Sequence, residues 1–343
     1  MKILFITQKV DKNDAVLGFI HGWLLALSKQ FAELQVICLE RGEVNLPANV
    51  KIFSLGKESG RSRLKYISNF YRTAFGRQAD YEAVFVHMNP EYVILGGLFW
   101  RFKGKKVVMW YNHTYGDWRA KLAMFLANIL CHTSPYAFTA KTKKSVRMPA
   151  GIDTGIFQPT GVDKKKNSIL YLGRISPIKD LGTLLEAVKI LDQNSFPFVL
   201  DVYGEALVGD LGYLKQLQQK FESLIRAGKI DFFGSVANFK TPEIFSSHEV
   251  SVNLTPAGNY DKTVLETMAC GSLPLVSSPA FKDALPTEFF FKEKDPVSLA
   301  ETLKRVLFFD QDKKNSLAVD LRKYAVANHG LDKLVSAITK LYE

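Results

Sequence analysis

Lys262, Thr263 and Glu266 combine residue types and spacing that carry chemistry. They belong to Tyr260-Asp261-Lys262-Thr263-Val264-Leu265-Glu266-Thr267-Met268-Ala269-Cys270-Gly271, which reads as a loop running into a helix. Backbone N–H groups without intrahelical partners collect at Lys262 and Thr263, and a helix N-terminus with a cation beside it is an anion site. Glu266 follows one turn later, and a carboxylate there accepts hydrogen bonds from two vicinal hydroxyls. Phosphate and diol held on one helix end describe a nucleotide. Ser251-Val252-Asn253-Leu254 is the strand that feeds this loop.

A second pair of cations sits in another strand-to-helix loop. Gly173-Arg174 follows an apolar strand ending at Leu172, and Lys179 comes five residues later, before the helical Leu184-Leu185-Glu186-Ala187-Val188. Two cations in one such loop clamp a diphosphate and neutralise charge growing on a leaving group. Plainer readings compete: solvated surface charges for Arg174 and Lys179, an exposed helical carboxylate for Glu266. His113 lies just past an apolar strand, which points it at the ligand edge; His21 sits in the first helix, where it touches a ligand or only packs. Gly18 is the sole glycine of the first strand-to-helix loop, where it admits a close diphosphate or merely makes a turn. No G-x-G-x-x-G follows that strand, which argues against a nicotinamide dehydrogenase. Asp310-Gln311-Asp312 matches a D-x-D metal pattern, but it follows Leu307-Phe308-Phe309, precedes Lys313-Lys314, and reads as a turn between helices. No metal ion or cofactor is expected.

The elements that must position these residues alternate between short β-type runs and helix-length amphipathic segments, the pattern of parallel α/β layers. The first half reads as strands near 2–7, 35–39, 50–54, 83–87 and 106–111, with helices near 16–32, 62–76, 91–102 and 118–130. The second half restarts at Ser168-Ile169-Leu170-Tyr171-Leu172, with strands near 198–203, 230–233, 249–254 and 273–277. Between the halves, Pro149-Ala150-Gly151-Ile152-Asp153, Gln158-Pro159-Thr160-Gly161 and the polar run Asp163-Lys164-Lys165-Lys166 read as a hinge. The tail from about 313 to 343 reads as two helices without a strand. Two Rossmann-like domains in tandem imply an interdomain cleft at the carboxyl ends of the strands.

At 343 residues the chain accommodates two domains. Cys38, Cys131 and Cys270 are scattered, odd in number and without metal spacing, as in a reducing compartment. Met1-Lys2-Ile3-Leu4-Phe5-Ile6-Thr7 is too short an apolar run for a signal peptide, and Tyr92 to Phe102 is about half the ~20 residues of a membrane span. The expectation is a cytoplasmic protein, or one at the inner face of the plasma membrane. Residues 1–160 hold 22 Lys and Arg against 11 Asp and Glu, whereas residues 161–343 hold 23 of each, so the net +11 belongs to the first half. Its stretch from Arg61 through Arg63, Lys65, Tyr66, Phe70, Tyr71 and Arg72 to Arg77 is basic, aromatic and amphipathic. With Arg101, Lys103, Lys105 and Lys106 it suits an anionic leaflet, and a solvated basic face of an ordinary helix is the equal alternative. The aromatics follow a helical face rather than a stacking platform, so nucleic acid is not expected.

Several segments in order carry a resemblance. Gly173-Arg174-Ile175-Ser176-Pro177-Ile178-Lys179-Asp180 resembles the G-R-x-x-x-x-K-G loop of family 4 glycosyltransferases with the GT-B fold, and Lys262 to Gly271 resembles the motif ending in E-A-M-A-C-G. Pro149 to Asp153 with Phe157 and Pro159, Asp231-Phe232-Phe233-Gly234-Ser235-Val236, and Trp110-Tyr111-Asn112-His113 resemble its N-G-I-D…F-x-P hinge, its F-x-G-x-V loop and its histidine segment. The resemblance implies residues 1–155 as an acceptor-binding domain, 156–320 as the nucleotide-sugar domain, and a C-terminal helix over 321–343 that can pack back on the first. It implies that Arg174 and Lys179 hold the donor diphosphate, that Glu266 takes the ribose, and that the N–H groups of Thr263 and Val264 meet the distal phosphate. His113 becomes a donor-sugar contact or a polariser near the reacting carbon, a catalytic position it shares with Arg174 and Lys179, and Gly18, Asp261 and Lys262 join the donor site. The family's sugar-contacting carboxylate falls at Gly258 here, with Asp261 or Asn259 as partial substitutes. The implied activity is retaining, metal-independent transfer from a nucleotide sugar to a glycan or lipid-linked acceptor in cell-envelope synthesis. A nucleotide-sugar epimerase and a non-catalytic binder are the alternatives.

Overall fold

The structure is a computed structural model describing residues 1–60, 62–76 and 79–343. Arg61 and Arg77, the two ends of the basic stretch, lie outside the described residues. The chain divides into two compact units, Met1–Asp153 with Gly330–Glu343, and Thr154–His329.

The first unit runs β1 (Lys2–Val10), α1 (Phe19–Leu27), β2 (Glu33–Arg41), β3 (Val50–Ser54), α2 (Arg63–Phe75), β4 (Ala83–His87), α3 (Pro90–Phe102), β5 (Lys106–Trp110), α4 (Trp118–Leu126), β6 (Ile129–His132) and β7 (Ser145–Arg147). Its seven strands form one parallel sheet in the order β3-β2-β1-β4-β5-β6-β7. Every residue of β4 is buried, as a central parallel strand covered on both faces requires. Alternation splits the sheet's side chains between two cores. Leu4, Ile6, Val84, Val86, Val107 and Met109 face α2, α3 and α4. Ile3, Phe5, Phe85, Val108 and Trp110 face α1 and the C-terminal helix.

The second unit runs β8 (Lys165–Leu172), α5 (Leu181–Gln193), β9 (Val199–Tyr203), α6 (Leu211–Lys220), α7 (Glu222–Arg226), β10 (Ile230–Gly234), α8 (Thr241–Ser246), β11 (His248–Asn253), α9 (Lys262–Ala269), β12 (Leu273–Val276), α10 (Pro296–Leu307) and α11 (Gln311–His329). Its parallel sheet has the order β10-β9-β8-β11-β12. α12 (Leu331–Lys340) then completes the first unit. The outgoing and returning chain segments run side by side: Ile152 bridges Gly330, and Leu331 N donates to the Ile152 carbonyl at 2.8 Å. Cys38, Cys131 and Cys270 are buried and free of disulfides.

The expected α/β layering is present, with differences in detail. The helix expected over 16–32 spans only Phe19–Leu27: Asp14 takes the N–H groups of Val16 and Leu17 in a turn, at 2.8 and 2.7 Å, and residues 28–30 form turns before β2. The helix expected over 118–130 stops at Leu126. Ala127 is extended, Asn128 accepts from Val107 N at 2.8 Å, and Ile129–His132 joins the sheet as a strand. The Lys165-Lys166 end of the expected hinge is already strand β8, where Lys165 pairs with Asp201 at 2.7 Å.

In both sheets the connections reverse direction beside the first strand, between β1 and β4 and between β8 and β11. Ligands of open parallel sheets bind at the carboxyl edge at such switch points. The second unit keeps its edge tight with Gly204, whose φ is 145° and whose absent Cβ would meet the Gly173 carbonyl oxygen at 1.9 Å. Gly204→Ala should therefore cost about 3 kcal/mol in urea unfolding, from a forbidden backbone conformation and a backbone clash.

Candidate functional site

Arg174, Lys179, Asp261, Lys262, Thr263, Val264 and Glu266 all follow β8 or β11, the neighbouring strands at the second sheet's switch point. The sheet brings them to one edge although Lys179 and Asp261 are 82 residues apart. Arg174 is exposed in the loop after β8, and its carbonyl accepts from the Tyr171 hydroxyl at 3.0 Å. Asp180, at the motif's last glycine, sits at φ 50°, ψ 41° and opens α5. Aspartate tolerates that left-handed conformation, which accounts for a glycine preference there.

Asp261 organises the edge. Its Oδ1 accepts from Thr263 N at 3.2 Å and Thr263 Oγ1 at 3.1 Å. Its Oδ2 accepts from Lys179 Nζ at 2.6 Å and Thr255 Oγ1 at 2.7 Å. A carboxylate has about four lone-pair sites, and these bonds fill them. Burial alone would raise its pKa, but the Lys179 ammonium and these hydrogen bonds hold it well below the usual carboxylate range. In the structure Asp261 caps α9 and orients Lys179. The N–H groups expected to meet a phosphate are engaged as well, Thr263 N by this side chain and Val264 N by the Asp261 carbonyl at 3.3 Å.

Glu266 is 3% exposed, so the exposed helical carboxylate is ruled out. Its Oε1 accepts from Asn238 Nδ2 at 3.3 Å. Burial pushes its pKa up to about 7 against the opposing pull of Asn238 and of Lys262, whose Nζ is buried nearby on the same helix. Desolvation in turn pushes Lys262 well below the usual lysine value, with Glu266 opposing it. The Lys262 ammonium is therefore buried on the same helix as Glu266 rather than solvated at the helix end.

The remaining expected residues belong to the first unit. His113 follows β5; its ring packs at 5.2 Å against Tyr111, and desolvation lowers its pKa. His21 Nε2 accepts from Asn45 N at 3.0 Å, a structural bond. Gly18 precedes α1 with an ordinary φ of −55°, so its backbone does not require glycine. A cavity of about 500 Å³ opens at this sheet's carboxyl edge, between Gln8, Leu55, Ile67, Asn89, Tyr92 and Trp118. Another, of about 330 Å³, lies by Lys164, Glu249, Lys314 and Arg322 at the opposite, amino edge of the second sheet, away from the candidate residues. Asp310 accepts from Lys313 N at 2.7 Å at the start of α11. Among the described residues no group of three His, Cys, Asp or Glu is placed to hold a metal, and no helix is long and apolar enough to cross a membrane.

The sequence model of the family Glycosyl transferases group 1 matches residues 153–325. The chain belongs to that family. As a group 1 glycosyltransferase it shares its fold with solved structures along its whole length. Anabaena HepE, solved with UDP and glucose, is 16% identical with a TM-score of 0.79, over 100% of this chain and 99% of that one. Sucrose-phosphate synthase from Thermosynechococcus elongatus is 15% identical with a TM-score of 0.79, over 99% and 98%. A Rickettsia africae glycosyltransferase is 13% identical with a TM-score of 0.73, over 99% and 97%. No curated protein matches the chain.

In this group 1 glycosyltransferase, Asn238 and Thr255 escaped the reading of the sequence. Both are single polar residues in loops after strands, and only the sheet order reveals what they touch. Asp261→Asn should keep the cap and lose the ion pair, with a destabilisation of about 2 kcal/mol. Because the native pKa of Asp261 is depressed, its contribution is complete above the ordinary value of 3.8 and drains away as pH falls below it. The wild-type-minus-variant difference in unfolding free energy should therefore stay flat from about pH 5 to 8 and shrink toward about pH 2.

Proposed function

We propose that this glycosyltransferase, of the family 4 type, transfers a sugar from a nucleoside-diphosphate donor to a glycan or lipid-linked acceptor of the cell envelope, with retention and without a metal. The observation that carries the donor side is the gathering of Arg174, Lys179 and the buried Glu266 at one switch point. Arg174 and Lys179 supply the positive charge that stabilises the departing diphosphate. Glu266, anchored by Asn238, accepts the ribose hydroxyls. The HepE structures hold UDP or UDP-glucose, which makes a uridine donor the first to try.

In the proposed reaction the acceptor oxygen bonds the anomeric carbon on the face from which the diphosphate leaves. The bond from that carbon to the phosphate oxygen breaks, and the acceptor's proton passes to the departing phosphate. His113, at the carboxyl edge of the first sheet, is the proposed donor-sugar contact, and its lowered pKa favours a neutral ring. The cavity at the same sheet's carboxyl edge is the proposed acceptor site. An epimerase needs a carboxylate free for acid–base work, and the full hydrogen-bond complement of Asp261 speaks against one there.

A thermal-shift screen of UDP, GDP, ADP, CMP and their sugars tests the donor: one nucleotide should raise the melting temperature of the wild type and fail with Glu266→Ala. No shift with folded protein would remove the donor-site reading. Arg174→Ala should lower transfer about a hundredfold, and full activity in that variant would sink the chemistry. Ribose hydroxyls favour the ionised Glu266, so nucleotide affinity should rise with pH through about 7 and become flat in Glu266→Gln.

A further inference from the structure

The outward side of α2, α3 and α4 is apolar where a domain helix is ordinarily polar. α4 places Ala120, Ala123 and Leu126 in the core and leaves Trp118, Leu122 and Phe125 in solvent. Spacings of four and three put that exposed trio on one helix face. α2 buries Phe70 and Ala74 yet exposes Leu64, Ile67 and Tyr71, again on one face. α3 ends in exposed Leu98, Phe99 and Phe102, the last at 89%. The three helices lie side by side: the Tyr71 hydroxyl donates to the Leu95 carbonyl at 3.1 Å, Phe75 meets Phe99 at 4.3 Å, and Arg101 donates to the Phe125 carbonyl at 3.3 Å. On the sheet's other face, α1 exposes Leu25 alone among its large apolar residues, and α12 exposes none.

Charge follows the same layer. α2, α3 and α4 carry Arg63, Lys65, Arg72, Arg101, Arg119 and Lys121 against one carboxylate, Glu91. Arg119 lies 5.7 Å from the Trp118 ring centre and Lys103 5.7 Å from that of Phe99, so cations border the aromatics. A second copy would bring two such basic faces together, which repel. Exposed aromatic and aliphatic side chains bordered by long cationic stems fit a headgroup boundary instead.

We propose that the outer face of α2–α4 docks on an anionic lipid bilayer, with its cations on the lipid phosphates and its exposed apolar side chains in the headgroup–acyl boundary. The 500 Å³ cavity is lined by Arg63, Ile67, Trp118 and Arg119 of this layer, so docking brings the bilayer to its mouth. The inference rests on the lipid-linked acceptor proposed above and is independent of the donor.

Cosedimentation of the full chain with vesicles of phosphatidylcholine, alone or with roughly one third phosphatidylglycerol, tests it. Binding to the anionic vesicles should be about tenfold or more tighter than to the neutral ones, and salt should weaken it. Arg63→Glu with Lys65→Glu, and separately Phe102→Asp with Phe125→Asp, should each lower it about tenfold or more with unchanged melting temperature. Equal binding by wild type and both variants, or no vesicle binding at all, would overturn the proposal. So would a dimer in solution that Phe102→Asp with Phe125→Asp dissolves while vesicles stay unbound. The nucleotide screen on the same samples separates the readings: vesicle binding without a nucleotide shift removes the donor and leaves the docking, and the reverse removes the docking alone.

Discussion

The Asp261–Lys179 ion pair is the constraint on which the candidate site depends. It joins the loop after β8 to the loop after β11, across the line where the sheet's connections reverse. Removing two charges from water is costly, and a mostly buried pair is a poor source of net stability. Its value here is geometric. One carboxylate starts α9, holds Thr255 and fixes the direction of Lys179 at the carboxyl edge of the sheet.

Glu266 depends on the same arrangement at one remove. α9 carries it into a dry position because Asp261 sets where that helix begins, and Asn238 reaches it from the segment after β10. Burial then raises its pKa toward neutrality and lowers that of Lys262.

The first unit repeats the switch-point logic with a different chemistry. Its edge has a cavity and the exposed His113 where the second unit has a network of charges. Its sheet faces two dissimilar helical layers. α1 and α12 bury their apolar residues in the ordinary way, whereas α2, α3 and α4 keep an apolar and basic surface in reserve. That asymmetry gives a structural location to part of the charge imbalance between the chain's halves.

The sequence by itself determined the alternation of strands and helices, the parallel layering, and the strand-to-helix segments that hold Arg174, Lys179 and Glu266. Those features are local: apolar runs of strand length, a glycine or aspartate at a turn, and cations just past a strand end. Only the tertiary structure decided what these side chains touch. Sequence spacing does not show that Lys179 and Thr255 donate to Asp261. Lys262 read as a cation at a helix end because burial is a property of packing. The helix over 118–130 was over-extended because Ile129-Leu130-Cys131 suits either state, and a sheet edge beside β5 chose strand. The basic aromatic stretch left two readings level in one dimension. Its second apolar stripe became visible only when the first was seen to be already buried.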